Sequence, residues 1–125
     1  MLANSNVMAM IAVSDISKAR EFYEGKLGLK NGEEAMGNIA YKCGAGLVLI
    51  YPAPSAGKNQ ATSANWDVTD IKAVVDDLKS KGVTFEHYDM PGGHYDGDIA
   101  EMGSAKAAWF KDPDGNILGI SQITT

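Results

Sequence analysis

The chain has 125 residues, of which 45% are hydrophobic and 22% charged, the balance of a single soluble globular domain. Eleven lysines and arginines against sixteen aspartates and glutamates give a net charge of −5, which argues against nucleic acid and anionic membranes as partners. No basic leader precedes an apolar stretch, and no apolar run approaches the roughly 20 residues that cross a bilayer. Because Cys43 is the only cysteine and excludes an internal disulfide, we expect a cytoplasmic protein.

A weak internal repeat divides the chain into two halves. Residues 13–17 (VSDIS) recur in modified form at residues 68–72 (VTDIK), and each copy ends an apolar run and opens a pattern of helical period. Each copy contains residue types that cap a helix N-terminus, Ser14 or Asp15 in the first and Thr69 or Asp70 in the second. Gly28 and Gly82 are expected to end the two helices. Each half therefore begins with a strand and a capped helix.

Short strands are predicted after each helix. In the first half they span residues 30–36, 39–43 and 46–51, and in the second half residues 83–88, 106–111 and 116–123. The turn sequence DPDG at residues 112–115 separates the last two strands. The pattern predicts an α+β fold of two tandem βαβββ modules, which form a curved mixed sheet with a concave groove and one helix per module on the outer face. Within this single domain the first module spans about residues 1–53, a linker about 54–62 and the second module about 63–125.

Together these motifs resemble the vicinal oxygen chelate superfamily, which contains glyoxalases, bleomycin resistance proteins and extradiol dioxygenases. The segments that carry the resemblance are VSD at residues 13–15, AREFY at 19–23, LGL at 27–29, VTDI at 68–71, KGV at 81–83 and WFKDPDGN at 109–116. Their order and spacing cover nearly the whole chain. The resemblance implies the two-module fold and a ligand in the concave groove. We expect a homodimer, because an open apolar wall would otherwise remain exposed.

Enzymes of the superfamily typically hold a divalent metal with four side chains, usually His, Gln or Glu. Carried over position by position, the resemblance places these ligands at Met8, Leu49 or its neighbour, Ser63 and Gly119. None of these residues is a good ligand for a divalent ion that prefers carboxylate or imidazole, and a shift by one residue does not restore the site. The resemblance is therefore to the metal-free members, represented by bleomycin resistance proteins, in which a dimer sequesters ligands. We predict no metal and no other cofactor.

Strand alternation identifies residues of the groove face, since successive side chains point to opposite faces of a sheet. If the implied ligand positions Met8, Leu49, Ser63 and Gly119 mark the groove face, then Met10, Leu47, Tyr51 and Asp67 share it. The resemblance implies a core position for Phe110, which leaves Trp109 pointing toward the groove. Trp109 and Tyr51 are the aromatic residues predicted to stack on a ligand, followed by Tyr41. Packing in the core or in an interface is the alternative role for each aromatic residue.

The segment at residues 87–102 contains both histidines and several carboxylates, and we predict a Gly-rich loop with little regular structure. One interpretation is a relocated metal site made by His87, His94 and a nearby aspartate. The spacing of the histidines across a flexible turn matches no known zinc site, and the DGD sequence is too short for a calcium loop. A second interpretation places His87, His94, Tyr88 and Tyr95 in contact with a ligand at the rim of the groove. The third is a solvated loop.

The sequence thus favours metal-independent binding of a small, partly apolar or aromatic molecule, with sequestration like that of bleomycin resistance proteins. The first alternative is an enzyme, a glyoxalase-like lyase or isomerase or a dioxygenase, that uses a relocated metal or acid–base residues such as Asp67 and His87. The second alternative is a protein-interaction module whose groove is vestigial. The enzyme requires those two side chains in the pocket, whereas the binding protein requires Trp109 or Tyr51 along a preformed cavity.

Overall fold

A computed structural model describes residues 1–89 and 91–123. After a short 3₁₀ helix at Leu2–Asn4, the first module contains one helix and four strands. These are β1 (Met8–Val13), α1 (Ile16–Arg20) with a π-helical continuation (Glu21–Lys26), β2 (Glu33–Ala35), β3 (Asn38–Cys43) and β4 (Gly46–Pro52). The four strands form one sheet in the order β1-β4-β3-β2, in which β1 and β4 are parallel.

The second module repeats this arrangement with additional strands. It contains β5 (Thr62–Asp67), α2 (Ile71–Ser80), β6 (Phe85–Glu86), β7 (His94–Asp96), β8 (Ile99–Met102), β9 (Ala105–Lys111) and β10 (Ile117–Ile123). The sheet order is β5-β10-β9-β8-β7, with β5 and β10 parallel and β6 paired separately with β9. The predicted α+β fold of two βαβββ modules is confirmed, with the strands divided between two mixed sheets.

Both helices begin at the predicted places, and in each pair of candidates the aspartate is the cap. The Asp15 carboxylate accepts hydrogen bonds from the Ser17 and Lys18 amides, and the Asp70 carboxylate accepts one from the Ala73 amide. The first helix differs from the prediction, because α-helical hydrogen bonding continues only to Arg20 and a π-helical segment completes it.

The prediction of an irregular loop over residues 87–102 is wrong. Strands β7 and β8 form a hairpin there, with Asp96 opposite Ile99 across the two-residue turn at Gly97 and Asp98. Strand β8 takes the place in the second sheet that β2 has in the first, so the fourth strand of the module comes from the predicted loop. Met90 of this segment and residues 124–125 of the predicted second module lie outside the described residues.

The hydrophobic core lies between the helices and the faces of the two sheets that they cover. Buried residues of both modules contribute to it, among them Ile11, Tyr23, Ile50, Phe110 and Leu118. Trp66 and Val68 pack against this core, as strand alternation requires of a strand whose other face carries Asn65 and Asp67. The opposite faces of the sheets, which we call the open face, are left without helical cover.

The two sheets meet along a seam between their edge strands β1 and β5. One end of the seam is closed by the turn at residues 112–116. The Asn116 side-chain amide donates to the Ala12 carbonyl at 2.7 Å, and the Asp114 carboxylate accepts from the Ser14 amide at 3.1 Å. The linker joins the same turn through Gly57, where an added Cβ would lie 1.7 Å from the Asp114 carbonyl oxygen. This turn therefore fixes the first module against the second.

Candidate functional site

Strands β1 and β4 carry exposed or half-buried apolar side chains on the open face of the first sheet. Met8 and Met10 of β1 are 47% and 54% exposed, whereas Ile11 on the other face is buried. Leu47 and Leu49 of β4 lie opposite the two methionines. The structure thus places on one face the residues that strand alternation predicted to share it.

The open face of the second sheet is dominated by Trp109. Trp109 lies directly opposite Gly119, and Asn65 lies opposite Gly119 on the other side. A Cβ added at Gly119 would be 3.4 Å from Trp109 Cδ1, 3.5 Å from Trp109 Nε1 and 2.8 Å from Asn65 Oδ1. Asn65 Oδ1 therefore occupies the space into which a side chain at Gly119 would project, and the Trp109 indole lies at van der Waals distance beside it.

The four positions at which the resemblance implies metal ligands do not fit a metal. Gly119 and Leu49 offer no donor atom, and Met8 and Ser63 offer only a thioether and a hydroxyl. Ser63 also lies at a register irregularity of the β5–β10 ladder, which passes from Thr62 to Ala64 without pairing it. Within residues 1–89 and 91–123, no three His, Cys, Asp or Glu side chains converge as metal ligands would.

A cleft of about 350 Å³ lies beside the indole, and we call it the Trp109 cleft. Its lining residues come from the end of the linker, the starts of β5 and β10, the segment after β6 and strand β9: Gln60, Ala61, Thr62, Tyr88, Asp89, Trp109 and Ile117. The Tyr88 ring meets Trp109 edge to face, with centroids 5.8 Å apart. The Tyr88 hydroxyl is buried and has no hydrogen-bond partner among residues 1–89 and 91–123. Asp89 is the one residue with a carboxyl group among those that line the cleft. The cleft therefore combines two aromatic rings with one acidic side chain.

Tyr95 contributes to this cleft indirectly. Its hydroxyl accepts a hydrogen bond from the Tyr88 amide at 2.7 Å and donates one to the Tyr88 carbonyl at 3.0 Å. The Tyr95 ring stacks on the His87 imidazole, with centroids 4.1 Å apart and planes 9° apart. Tyr95 is thus held on two sides and fixes the backbone that carries Tyr88.

The two histidines have separate carboxylate partners. His87 Nε2 lies 2.8 Å from Asp98, whose carboxylate also meets Lys79 of α2, and the hydrogen bonds from Lys79 and His87 lower the Asp98 pKa. His94 Nε2 lies 2.8 Å from Glu101. Since each imidazole has its own carboxylate partner, the structure does not bring the histidines together on one ion as the relocated metal site required.

Tyr41 does not lie where a ligand on the open face would reach it. Its side chain is 0% exposed within the core, and its hydroxyl donates to Glu24 at 2.5 Å. Burial raises the Tyr41 pKa, and the bond to this carboxylate adds to that effect. Tyr51 lies opposite Ala12 on the open face of β4, and it lines no wall of the Trp109 cleft.

Asp67 belongs to a second cleft, of about 600 Å³, at the open end of the seam, which we call the seam cleft. Its walls are formed by the β3–β4 turn, strand β5 and neighbouring residues: Ala9, Leu29, Cys43, Gly44, Ala45, Gly46, Leu47, Val48, Ala64, Asn65, Trp66 and Asp67. Asn65 Nδ2 donates to Ser121 Oγ at 2.9 Å, and Ser121 Oγ donates to Asp67 Oδ1 at 3.0 Å. Asp67 and His87 therefore have different partners, and no acid–base pair forms between them.

Sequence reasoning named Tyr88 as a possible ligand contact at the rim of the groove, but it did not predict that Tyr88 would meet Trp109. That contact arises because Tyr88 follows β6, whose Glu86 lies opposite Trp109, and this pairing is visible only once the sheet is assembled. Among the described residues, no helix is both long and apolar enough to cross a membrane.

Comparison with known proteins gives a family match over nearly the whole chain. The model of the Glyoxalase/Bleomycin resistance protein/Dioxygenase superfamily matches residues 6–120. No curated protein matches the chain.

Solved structures share the fold at low sequence identity. A glyoxalase family protein from Bacillus anthracis has a TM-score of 0.71 and 15% identity, with 97% of this chain and 96% of that chain covered. A glyoxalase/bleomycin resistance protein/dioxygenase from Alicyclobacillus acidocaldarius has a TM-score of 0.71 and 17% identity, with 98% and 93% covered. An antibiotic binding protein from Streptomyces sp. CB03234 has a TM-score of 0.66 and 20% identity, with 97% and 98% covered.

Proposed function

The chain belongs to the glyoxalase/bleomycin resistance protein/dioxygenase superfamily, and we propose that it binds a small, partly aromatic molecule on its open face without a metal. The observation that carries this proposal is the position of the Trp109 indole beside Gly119. In metal-dependent members of the superfamily a ligand side chain is expected at the position of Gly119. Here that position carries no donor atom and an aromatic ring lies next to it, so the site offers stacking instead of Lewis acidity.

The composition of the Trp109 cleft defines the ligand. Trp109 supplies an aromatic face, Tyr88 a second ring and Asp89 a negative charge. Buried aromatic rings with few polar groups are typical of sites that bind small planar molecules. One neighbour in fold is an antibiotic binding protein, which supports sequestration of an antibiotic-like aromatic molecule as the biological role. Tyr51 stays a predicted contact for a ligand that extends onto the first sheet.

Fluorescence of a single tryptophan tests this proposal. In the Trp66→Phe variant, Trp109 is the remaining indole, and we expect planar aromatic antibiotics, bleomycin among them, to change its emission saturably. Replacing Trp109 with Ala in the wild-type chain should weaken binding about tenfold, or ~1.4 kcal/mol, because a stacking partner is lost. Isothermal titration calorimetry measures this affinity, and Trp109→Phe is the control that keeps an aromatic ring.

The same protein tests metal independence. Elemental analysis of untagged protein should find no metal near stoichiometry, and Ni²⁺, Mn²⁺, Fe²⁺ and Zn²⁺ should leave the melting temperature unchanged, because a bound ion stabilises the folded state. A stoichiometric metal, or an affinity that Trp109→Ala leaves intact, would contradict the proposal and restore the enzyme alternative.

We further propose that a second copy of the chain covers the apolar surface that Met8, Met10, Leu47 and Leu49 form on β1 and β4. Met8 and Met10 project from β1 beside Leu47 and Leu49, and such a continuous apolar surface is rarely left in water. A twofold-related copy would cover it with the same surface. Light scattering should therefore give the mass of a dimer.

Met10→Lys should convert the dimer to a monomer at micromolar concentration, because it places a charge within the apolar contact. Met36→Lys is the matched control, since Met36 is 99% exposed in the turn between β2 and β3 and lies off this face. A monomeric wild-type protein, or a Met10→Lys protein that stays dimeric, would rule out this interface.

A further inference from the structure

An apolar cavity on the helix side of the second sheet is unrelated to the Trp109 cleft. It has a volume of about 170 Å³, and we call it the pit. All eight residues that line it are apolar: Leu27, Leu29, Trp66, Val68, Val74, Leu78, Phe110 and Ile120. Water in such a cavity finds no hydrogen-bond partner, and apolar cavities of roughly this size accept a benzene ring.

The end of the first helix shapes the pit. The Leu27 amide donates to the Phe22 carbonyl and the Leu29 amide to the Tyr23 carbonyl, which close the wide turn that follows the π-helical segment. Leu27 and Leu29 thereby reach the second module, where Val74 of α2 forms the facing wall. Helical segments of this wide type are frequent at functional sites.

The pit adjoins the seam cleft. Leu29 and Trp66 line both spaces, so the two share a wall. Asp67 lies between Trp66 and Val68 in the chain, both of which line the pit, and its own side chain points to the open face. Because β5 is the edge strand of its sheet, the seam gives access from one face to the other.

The polar groups of the seam cleft require a ligand that donates hydrogen bonds. Ser121 uses its hydroxyl proton on Asp67 Oδ1, and the other oxygen of the Asp67 carboxylate remains to accept from a ligand. In the part of the chain that the structure describes, no lysine, arginine or histidine forms an ion pair with Asp67. A protonated amine satisfies both requirements, since it donates and carries the opposite charge.

We propose that the pit and the seam cleft form one binding site for a small amphiphilic amine, separate from the Trp109 cleft. An uncharged ring or short alkyl group fills the pit against Trp66, and the ammonium group binds the Asp67 carboxylate at the open end of the seam. Each of the two tryptophans therefore belongs to a different site.

Quenching by a brominated amine tests this site directly. In the Trp109→Phe background Trp66 is the remaining indole, and 4-bromobenzylamine should quench it saturably because bromine in the pit lies against the ring. Val74→Phe fills the pit and should abolish the quenching. Asp67→Asn should weaken the amine about tenfold and leave the neutral quencher 4-bromotoluene unchanged, because only the amine uses the carboxylate.

Two outcomes would overturn the proposal. One is quenching that is not saturable, or that persists in both Val74→Phe and Leu29→Phe, each of which narrows the pit from a different wall. The other is an Asp67→Asn protein that binds the amine as the wild type does. The Trp66→Phe protein, titrated with the same amine, reports on the Trp109 cleft alone, so failure of one site is distinguishable from failure of the other.

Discussion

The two ends of the seam between β1 and β5 differ in the burial and the hydrogen bonding of their polar side chains. At the closed end, Asp112 and Asn116 are 5% and 4% exposed and every one of their side-chain oxygens accepts a hydrogen bond. At the open end, Asp67 and Asn65 are exposed and their hydrogen bonds run along the surface to Ser121. At one end of the seam the turn at residues 112–116 therefore holds the two modules together. At the other end a hydrogen-bond acceptor remains for a ligand.

The closed end stabilises a buried carboxylate with neutral donors. Asp112 Oδ1 accepts from the Asp114 and Asn116 amides, and Oδ2 accepts from the Tyr23 hydroxyl and the Asn116 side-chain amide, at 2.8 to 3.0 Å. Because a buried charge without such partners is expensive, these four bonds explain how an aspartate is tolerated in the core. They also tie the first helix to the second module.

Removing this carboxylate should have the largest effect on stability. Asp112→Ala leaves Tyr23 and the amides of Asp114 and Asn116 without their acceptor, and hydrogen bonds to charged groups contribute about 1.5–3 kcal/mol each. We expect the free energy of unfolding to fall by about 3–4 kcal/mol in urea denaturation at pH 7 and fixed protein concentration.

Ser121→Ala is the matched change at the open end. It removes two hydrogen bonds at an exposed site and should cost less than about 1 kcal/mol. Equal losses in the two variants would contradict the view that stability is concentrated at the closed end.

The features that the sequence predicted correctly are local. The helix starts at Asp15 and Asp70 depend on capping chemistry, and the turn at residues 112–115 depends on turn chemistry. Each of these follows from neighbours in the chain, so a single sequence is enough to find them.

The features that it did not predict depend on contacts between distant segments. The clefts form where β5 meets β1 and where Tyr88 meets Trp109, and nothing in either segment specifies its partner. The burial of Tyr41 could have been predicted from the sequence. A two-residue turn after Cys43 pairs Tyr41 with Val48, which strand alternation places on the core side. The hairpin of β7 and β8 was not predicted because glycines and charged residues in its sequence are typical of loops.

Tyr23 gives a smaller effect with a distinctive pH dependence. Burial, together with the charge of Asp112, raises the Tyr23 pKa above its ordinary value of 10.0, so above about pH 10 the hydroxyl ionises in the unfolded chain but not in the folded one. The stabilisation by Tyr23 is therefore complete below pH 10 and declines above it by about 1.4 kcal/mol per pH unit. Tyr23→Phe should lower the free energy of unfolding by about 1–2 kcal/mol at pH 7, from the lost bond to Asp112, and this deficit should vanish near pH 11 in urea titrations.

Tyr41→Phe is the control for this effect. Burial raises the Tyr41 pKa too, so the cost of Tyr41→Phe should also decrease at alkaline pH, but the Tyr41 hydroxyl bonds to Glu24 and not to Asp112. In an Asp112→Ala background the cost of Tyr23→Phe at pH 7 should disappear and that of Tyr41→Phe should persist; equal costs of Tyr23→Phe in both backgrounds would show that Tyr23 does not act through the closed end of the seam.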